Sequence, residues 1–257
     1  MNHLLLLTGV GVVAGVLSTA VGLASLVSYP ALLMIGLPPV AANVTNTVGL
    51  VATGIGAVAG SRAELAGQGR FIARLCTVSA LGGVAGALLL LDTSPRLFEM
   101  IVPVLIAGAS ILLLLGPRLR RRVAGQAVEP AAHRPPNRLG GLLAIAPIGL
   151  YGGYFGAAAG VLMLAVLTLM LAGQSLARTN AAKNVALGAA NAAASVIFAV
   201  TGPVHWTAAA ALAAGSLVGG WIGPALVRRV PPGPLRILIA VAGMALAVKI
   251  AIDAGLG

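Results

Sequence analysis

The chain has 257 residues, 59% of them hydrophobic and 8% charged, with 35 glycines and a formal net charge of +11. A mean hydropathy of +1.05 excludes an ordinary water-soluble domain, and apolar runs near the ~20 residues that cross a ~30 Å hydrocarbon core define a polytopic membrane protein. The basic residues fall in short loop clusters, the pattern of Lys and Arg held on the cytoplasmic face rather than of nucleic-acid binding, and the single Cys76 can form no intrachain disulfide.

In chain order, the N-terminal MNHLLLLTGVGVVAGVL lacks the basic flank of a signal peptide and reads as the first membrane segment. The apolar stretch from His3 to Gly36 is too long for one straight span. It is interrupted by Gly15, Ser18, Gly22, Ser25 and Ser28-Tyr29-Pro30, and a break is expected there. Val40 to Gly60 reads as a span, Ser61 to Arg70 as a basic loop, Phe71 to Leu91 as a span, Asp92 to Arg96 as a turn, and Leu97 to Leu115 as a span. Arg118 to Arg122 opens a basic, proline-containing linker over 118–138, which separates a membrane repeat over 1–117 from a second over 139–257. Leu139 to Ala172 is again overlong and interrupted by Gly152, Gly153, Gly156 and Gly160. Ser175 to Val200, His205 to Val227 and Leu235 to Ile252 complete the spans.

One offset relates the halves. Gly15/Gly152, Gly36/Gly173, Asn43/Asn180, Gly86/Gly223 and Pro95/Pro232 all differ by 137 (152 − 15, 173 − 36, 180 − 43, 223 − 86, 232 − 95), which predicts an internal duplication. Matching loops differ in charge: 61–70 is basic and Thr201 to His205 is not, whereas 92–96 carries one Arg against Asp92 and 228–236 is basic. Positive-inside then places 61–70, 118–138 and 228–236 in the cytoplasm, and 92–96, 201–205 and the C-terminus outside. The expected fold is all-α, two inverted repeats in the cytoplasmic membrane, each a broken or re-entrant helical hairpin followed by three transmembrane helices. Such hairpin tips meet near the midplane at a transporter's central site.

The polar residues concentrate beside the hairpins. GLPPVAANVTNTV supplies Asn43, Thr45, Asn46 and Thr47, and GQSLARTNAAKNV supplies Arg178, Thr179, Asn180, Lys183 and Asn184. Polar groups in hydrocarbon are costly unless satisfied, so a repeated cluster of this kind marks a functional site. A helix starting near Ser175 groups cation, amide and hydroxyl donors at its N-terminal end, where the macrodipole also favours an anion. Plainer roles stand beside these: Arg178 as a topology charge, Lys183 as a snorkelling side chain, and the Asn and Thr residues as caps or interhelical bonds. Ser18 either lines the site or satisfies broken helix backbone.

An intramembrane enzyme would need a base beside Ser18 or Cys76, yet His3, His133 and His205 map to ends or loops, as do Glu64, Asp92, Glu99, Glu129 and Asp253. The same distribution of carboxylates disfavours a metal site or a cation carrier. No GxxxxGK[ST] motif is present for direct ATP drive, and no cofactor is expected.

Three stretches resemble the TauE/SafE family of sulfite and organosulfonate permeases: GVLSTAVGLASLVSYP with GLPPVAANVTNTV, GGYFGAAAGVLML with GQSLARTNAAKN, and TGPVHW leading to LVGGWIGPALVRRVPPGPLR. The sequence departs from the family's dense G-x-G-G-G runs, with Gly22-Leu23-Ala24-Ser25 in the first copy and Ala157-Ala158-Ala159-Gly160 in the second. The resemblance implies export of sulfite or a small sulfonate, with the hairpin positions Ser18, Gly22, Ser25, Gly156 and Gly160 joining the expected substrate site. The expectation is therefore a secondary transporter with a small anionic substrate, the bilayer as its surroundings, and proton coupling, if any, through the substrate or Lys183. A non-transporting scaffold, a carrier of another organic anion, and a homo-oligomer are left open.

Overall fold

A computed structural model of the chain describes residues 2–128, 138–171, 173–227 and 233–253. Among these residues every regular element is a helix: α1 Asn2–Val21, α2 Ser25–Met34, α3 Pro39–Gly60, α4 Arg62–Leu65, α5 Gly69–Asp92, α6 Pro95–Val128, α7 Arg138–Tyr154, α8 Ala159–Met170, α9 Leu176–Thr201, α10 Trp206–Val227 and α11 Gly233–Asp253. Six contain stretches long and apolar enough to cross a membrane, at His3–Ala20, Pro39–Gly60, Gly69–Asp92, Pro95–Gly116, Leu176–Thr201 and Trp206–Leu226. The short α2 and α8 have 10 and 12 residues, about 15 and 18 Å of helix, roughly half a hydrocarbon core.

The element order repeats: α1, α2, α3, α5 and α6 correspond to α7 through α11, and α4 has no described counterpart. The packing repeats as well. Helix α1 runs along α10 and α7 along α5; α3 packs on α10 and α9 on α5; α3 meets α9, and α6 meets α11. Exchanging the halves maps these contacts onto one another, the arrangement of a pseudo-twofold.

Small residues let the backbones close up. In the α1 and α10 seam a Cβ on Gly15 would stand 2.6 Å from the Ser216 carbonyl oxygen and 2.7 Å from the Gly220 nitrogen. In the equivalent α5 and α7 seam a Cβ on Gly82 would stand 2.5 Å from the Ala146 carbonyl oxygen, and one on Gly149 2.7 Å from that of Ser79. With lipid as apolar as the side chains, such close van der Waals contact is what holds membrane helices together. A buried aromatic cluster adds to it, with Phe155 edge-on to Tyr29 at 5.3 Å and Phe98 against both Tyr154 and Phe155.

Three details differ from the sequence expectations. Of the expected interruptions, the first hairpin breaks at Gly22 to Ala24, where Gly22 takes a left-handed φ of +77°, and not at Ser28-Tyr29-Pro30, since Pro30 lies inside α2. The first part of the expected linker, 118–128, continues α6 as helix: RLRRRVAGQAV holds no proline and good helix formers. The rest of that linker over 129–137, the expected basic segment over 228–232 and the last residues from 254 lie outside the described residues. Finally, the second break comes early. Gly36 and Gly173 share left-handed φ values of +91° and +85° at the 137 offset, yet the breaks at Gly22 (φ +77°) and Gly156 (φ +73°) differ by 156 − 22, or 134, so the second break comes three residues early relative to the repeat.

Candidate functional site

The two breaks touch. A Cβ on Gly22 would overlap the backbone of Gly160, and the converse holds, so the tips meet where neither residue tolerates a side chain. Each break leaves a helix C-terminus with carbonyls short of partners, and in each case the opposite half supplies donors. The Asn43 amide, from α3, donates to the Tyr154 carbonyl at the end of α7 at 2.7 Å. Its counterpart Asn180, from α9, donates to the Thr19 carbonyl near the end of α1, also at 2.7 Å. Lys183 adds an ammonium, donating to the Ser18 and Thr19 carbonyls at 3.0 and 3.3 Å. Its side chain is fully buried.

Position 46 in the first half corresponds to 183 in the second (183 − 46 is 137), and there the chain carries Asn46 instead. Asn46 works within its own half: its amide donates to the Ser25 hydroxyl at 3.1 Å, and it accepts from the Ser28 hydroxyl at 2.5 Å. It thereby ties α3 to the start of α2.

Between these clasps lies a cavity of about 30 Å³. The expected site residues Ser18, Gly22, Ser25, Asn46, Thr47, Gly156 and Gly160 line it. Asn184 lines an adjoining cavity that also includes Ser18. Lys183, Asn43 and Asn180 stand behind the wall and hold the broken ends. Thr45 is directed elsewhere, its hydroxyl accepting the His205 backbone N–H at 3.0 Å, and Thr179 bonds back to the Ser175 carbonyl at 3.2 Å. Arg178 clasps the α4 loop, donating to the Glu64 carbonyl at 3.2 Å, the Ala66 carbonyl at 2.8 Å and the Gln174 side chain at 3.1 Å. These three residues are not brought to the cavity.

Sequence reasoning missed Asn191, which lines both cavities. The signal was present: Asn180, Asn184 and Asn191 are spaced 4 and 7 apart (184 − 180, 191 − 184), a single helical stripe. On α3 the same stripe reads Asn43, Thr47 and Gly54 (47 − 43, 54 − 47).

The cavity's polarity follows from which helix ends are covered. The C-termini of α1 and α7 carry the negative ends of their dipoles, and Lys183, Asn180 and Asn43 bond to their last carbonyls. The N-termini of α2 and α8 begin after Ala24 and Ala158 with no side-chain cap, and Ala24, Ala159 and Gly160 line the cavity. Negative ends are masked and positive ends face the cavity. Among the described residues no cluster of His, Cys, Asp or Glu is placed to hold a metal ion.

Broken helices meeting across a repeat, with a small polar cavity at their tips, define a membrane transporter architecture. The chain belongs to the sulfite exporter TauE/SafE family, whose match runs over residues 7–250. It is 28% identical over 256 residues to a probable membrane transporter protein of Haemophilus influenzae, covering 99% of this chain and 97% of that one. It is 25% identical over 248 residues to the probable membrane transporter protein YfcA of Escherichia coli, covering 95% of this chain and 88% of that one. No solved structure matches the chain. The protein is a multi-pass membrane transporter.

Proposed function

We propose that this transporter exports sulfite or a closely related small sulfur oxyanion from the cytoplasm by alternating access around the cavity at the helix breaks. The observation that carries the anion is the asymmetric treatment of the helix ends: donors from the opposite half bond the C-terminal carbonyls, and the N-termini of α2 and α8, which no side chain caps, border the cavity. The hydroxyls of Ser18 and Ser25 and the Asn191 amide supply neutral hydrogen bonds at the wall, whereas the Thr47 hydroxyl donates to the Asn43 carbonyl at 3.0 Å. The buried Lys183 side chain donates to the Ser18 and Thr19 carbonyls and no carboxylate among the described residues neutralises it, so a neighbouring anion would stabilise its charged form. The substrate class comes from the family.

A cavity of about 30 Å³ holds about two water molecules, less than sulfite with its four non-hydrogen atoms needs. The contact of Gly22 with Gly160 must therefore part for substrate to enter. Alternating access then consists of opening the tips to one side at a time.

Uptake and efflux of sulfite in proteoliposomes test the reading, against sulfate, a sulfonate and a monovalent cation. Saturable sulfite flux, lowered at least tenfold in Ser18→Ala, is the expected outcome. Folded protein that neither carries any anion nor gains thermal stability from one would overturn it.

A further inference from the structure

Beside the central cavity lies a second, of about 20 Å³, between α1, α3 and α9. Two side chains in its wall are more than nine-tenths buried, Thr53 with 4% and Asn184 with 7% of its surface exposed. The Thr53 hydroxyl and the Asn184 amide nitrogen find no hydrogen-bond partner in the protein. Burying such groups unpaired is costly, and the cavity they border is where a partner would sit. An amide nitrogen can only donate and a hydroxyl can donate, so the partner is an acceptor. With no carboxylate in the wall, a cation has little to bind.

The position of this chamber gives it a role. It shares Ser18, Leu50, Leu187 and Asn191 with the central cavity. On its other side it shares Gly54 and Gly188 with a wider groove of about 470 Å³, whose lining includes Arg62 of α4 and Cys76 of α5. At that junction α3 and α9 nearly touch: a Cβ on Gly54 would stand 3.0 Å from the Gly188 Cα.

We propose that the Thr53 and Asn184 chamber is a relay site for a small oxyanion, passing it between the Arg62 groove and the central cavity, with Gly54 and Gly188 as the constriction at its outer door. This rests on the anion reading above. A space of about 20 Å³ accommodates one water-sized group, so the anion is held there by one oxygen. Arg62 supplies attraction at the groove, the two unpaired donors take over inside, and the helix N-termini complete the path.

Three substitutions and one native reporter test it in the full-length protein. Thr53→Val removes the hydroxyl at nearly constant shape and Thr53→Ser restores it; Gly54→Ala narrows the door. Sulfite flux gives KM and maximal rate, sulfite-induced thermal stabilisation reports the central cavity, and Cys76, the chain's single cysteine, reports the groove. The expected results are a KM raised about tenfold in Thr53→Val, the size of one lost hydrogen bond to a charged ligand, and recovery in Thr53→Ser. Gly54→Ala lowers the maximal rate severalfold while stabilisation by sulfite persists. A membrane-impermeant thiol reagent modifies Cys76 from the α4 side. Wild-type flux in both Thr53→Val and Gly54→Ala would show that the chamber holds only water, and modification of Cys76 by lipid-soluble reagents alone would show a lipid-filled groove; either overturns the relay. Loss of the relay with sulfite stabilisation intact leaves the anion reading standing, whereas absence of both flux and stabilisation in the wild type removes both.

Discussion

Lys183 illustrates how much a single buried side chain can be asked to do. Its ammonium caps α1 at Ser18 and Thr19, and Asn180 already holds Thr19 from the same helix face. Removing a buried charge returns its desolvation cost, which offsets much of the lost capping. Lys183→Met is therefore expected to keep near-wild-type thermal stability while sulfite affinity falls about tenfold, or ~1.4 kcal/mol, as measured by anion-dependent melting shifts. Arg178 gives the opposite pattern. Its guanidinium pins the α4 loop through Glu64 and Ala66, so Arg178→Ala is expected to speed proteolysis within residues 61–70 and leave sulfite stabilisation unchanged. Ala158 is the one described non-glycine residue with positive φ, at +59°, and it sits where the family's hairpins are glycine-rich. A left-handed L-residue costs about 1 kcal/mol. Ala158→Gly should raise stability in a thermal scan, because the strain of a left-handed alanine outweighs the added chain entropy of glycine.

Among the elements, glycines related by the repeat are not interchangeable. Gly15 is wedged against Ser216 and Gly220, whereas its counterpart Gly152 meets only the Ala190 Cβ at 3.9 Å. Gly15→Ala should force α1 from α10 and cost about 1–3 kcal/mol, while Gly152→Ala should fold as well as the wild type and place its methyl in the central cavity, lowering flux. Most of the long helices were legible to within a few residues, because hydropathy reports burial in lipid directly; the exception is the end of α6, which runs past the apolar span to Val128. The exact break among the candidate interruptions was not: Pro30 signals one, yet it lies in the middle of α2, and the positive φ at Gly22 decides the turn. Nor could the sequence separate cavity residues from clasps. Asn43, Asn46, Asn180 and Lys183 share one polar pattern, and only the packing of α1 and α7 sends Asn43, Asn180 and Lys183 to the opposite half's carbonyls and leaves Asn46 at the wall.

At the scale of the molecule, the exchangeable packing of the halves fits a twofold axis along the membrane normal or within its plane, and the charge pattern predicts the second, with opposite orientations. Cysteines introduced at Ala66 and Pro203, in loops related by their place in the repeat, should react with impermeant reagents from opposite sides; labelling from one side would make the repeats parallel. If two inverted halves were identical, the inward-open and outward-open forms would be the same structure turned over, and their free energies would be equal. Each residue that differs between the halves lifts that degeneracy. The pair Asn46 and Lys183 does so at the centre: one tip is clasped by an amide alone, the other by an amide and a lysine side chain. On the proposed alternating-access cycle, an empty carrier of inverted halves would rest unequally between its two end states, with the direction of that bias set at Lys183.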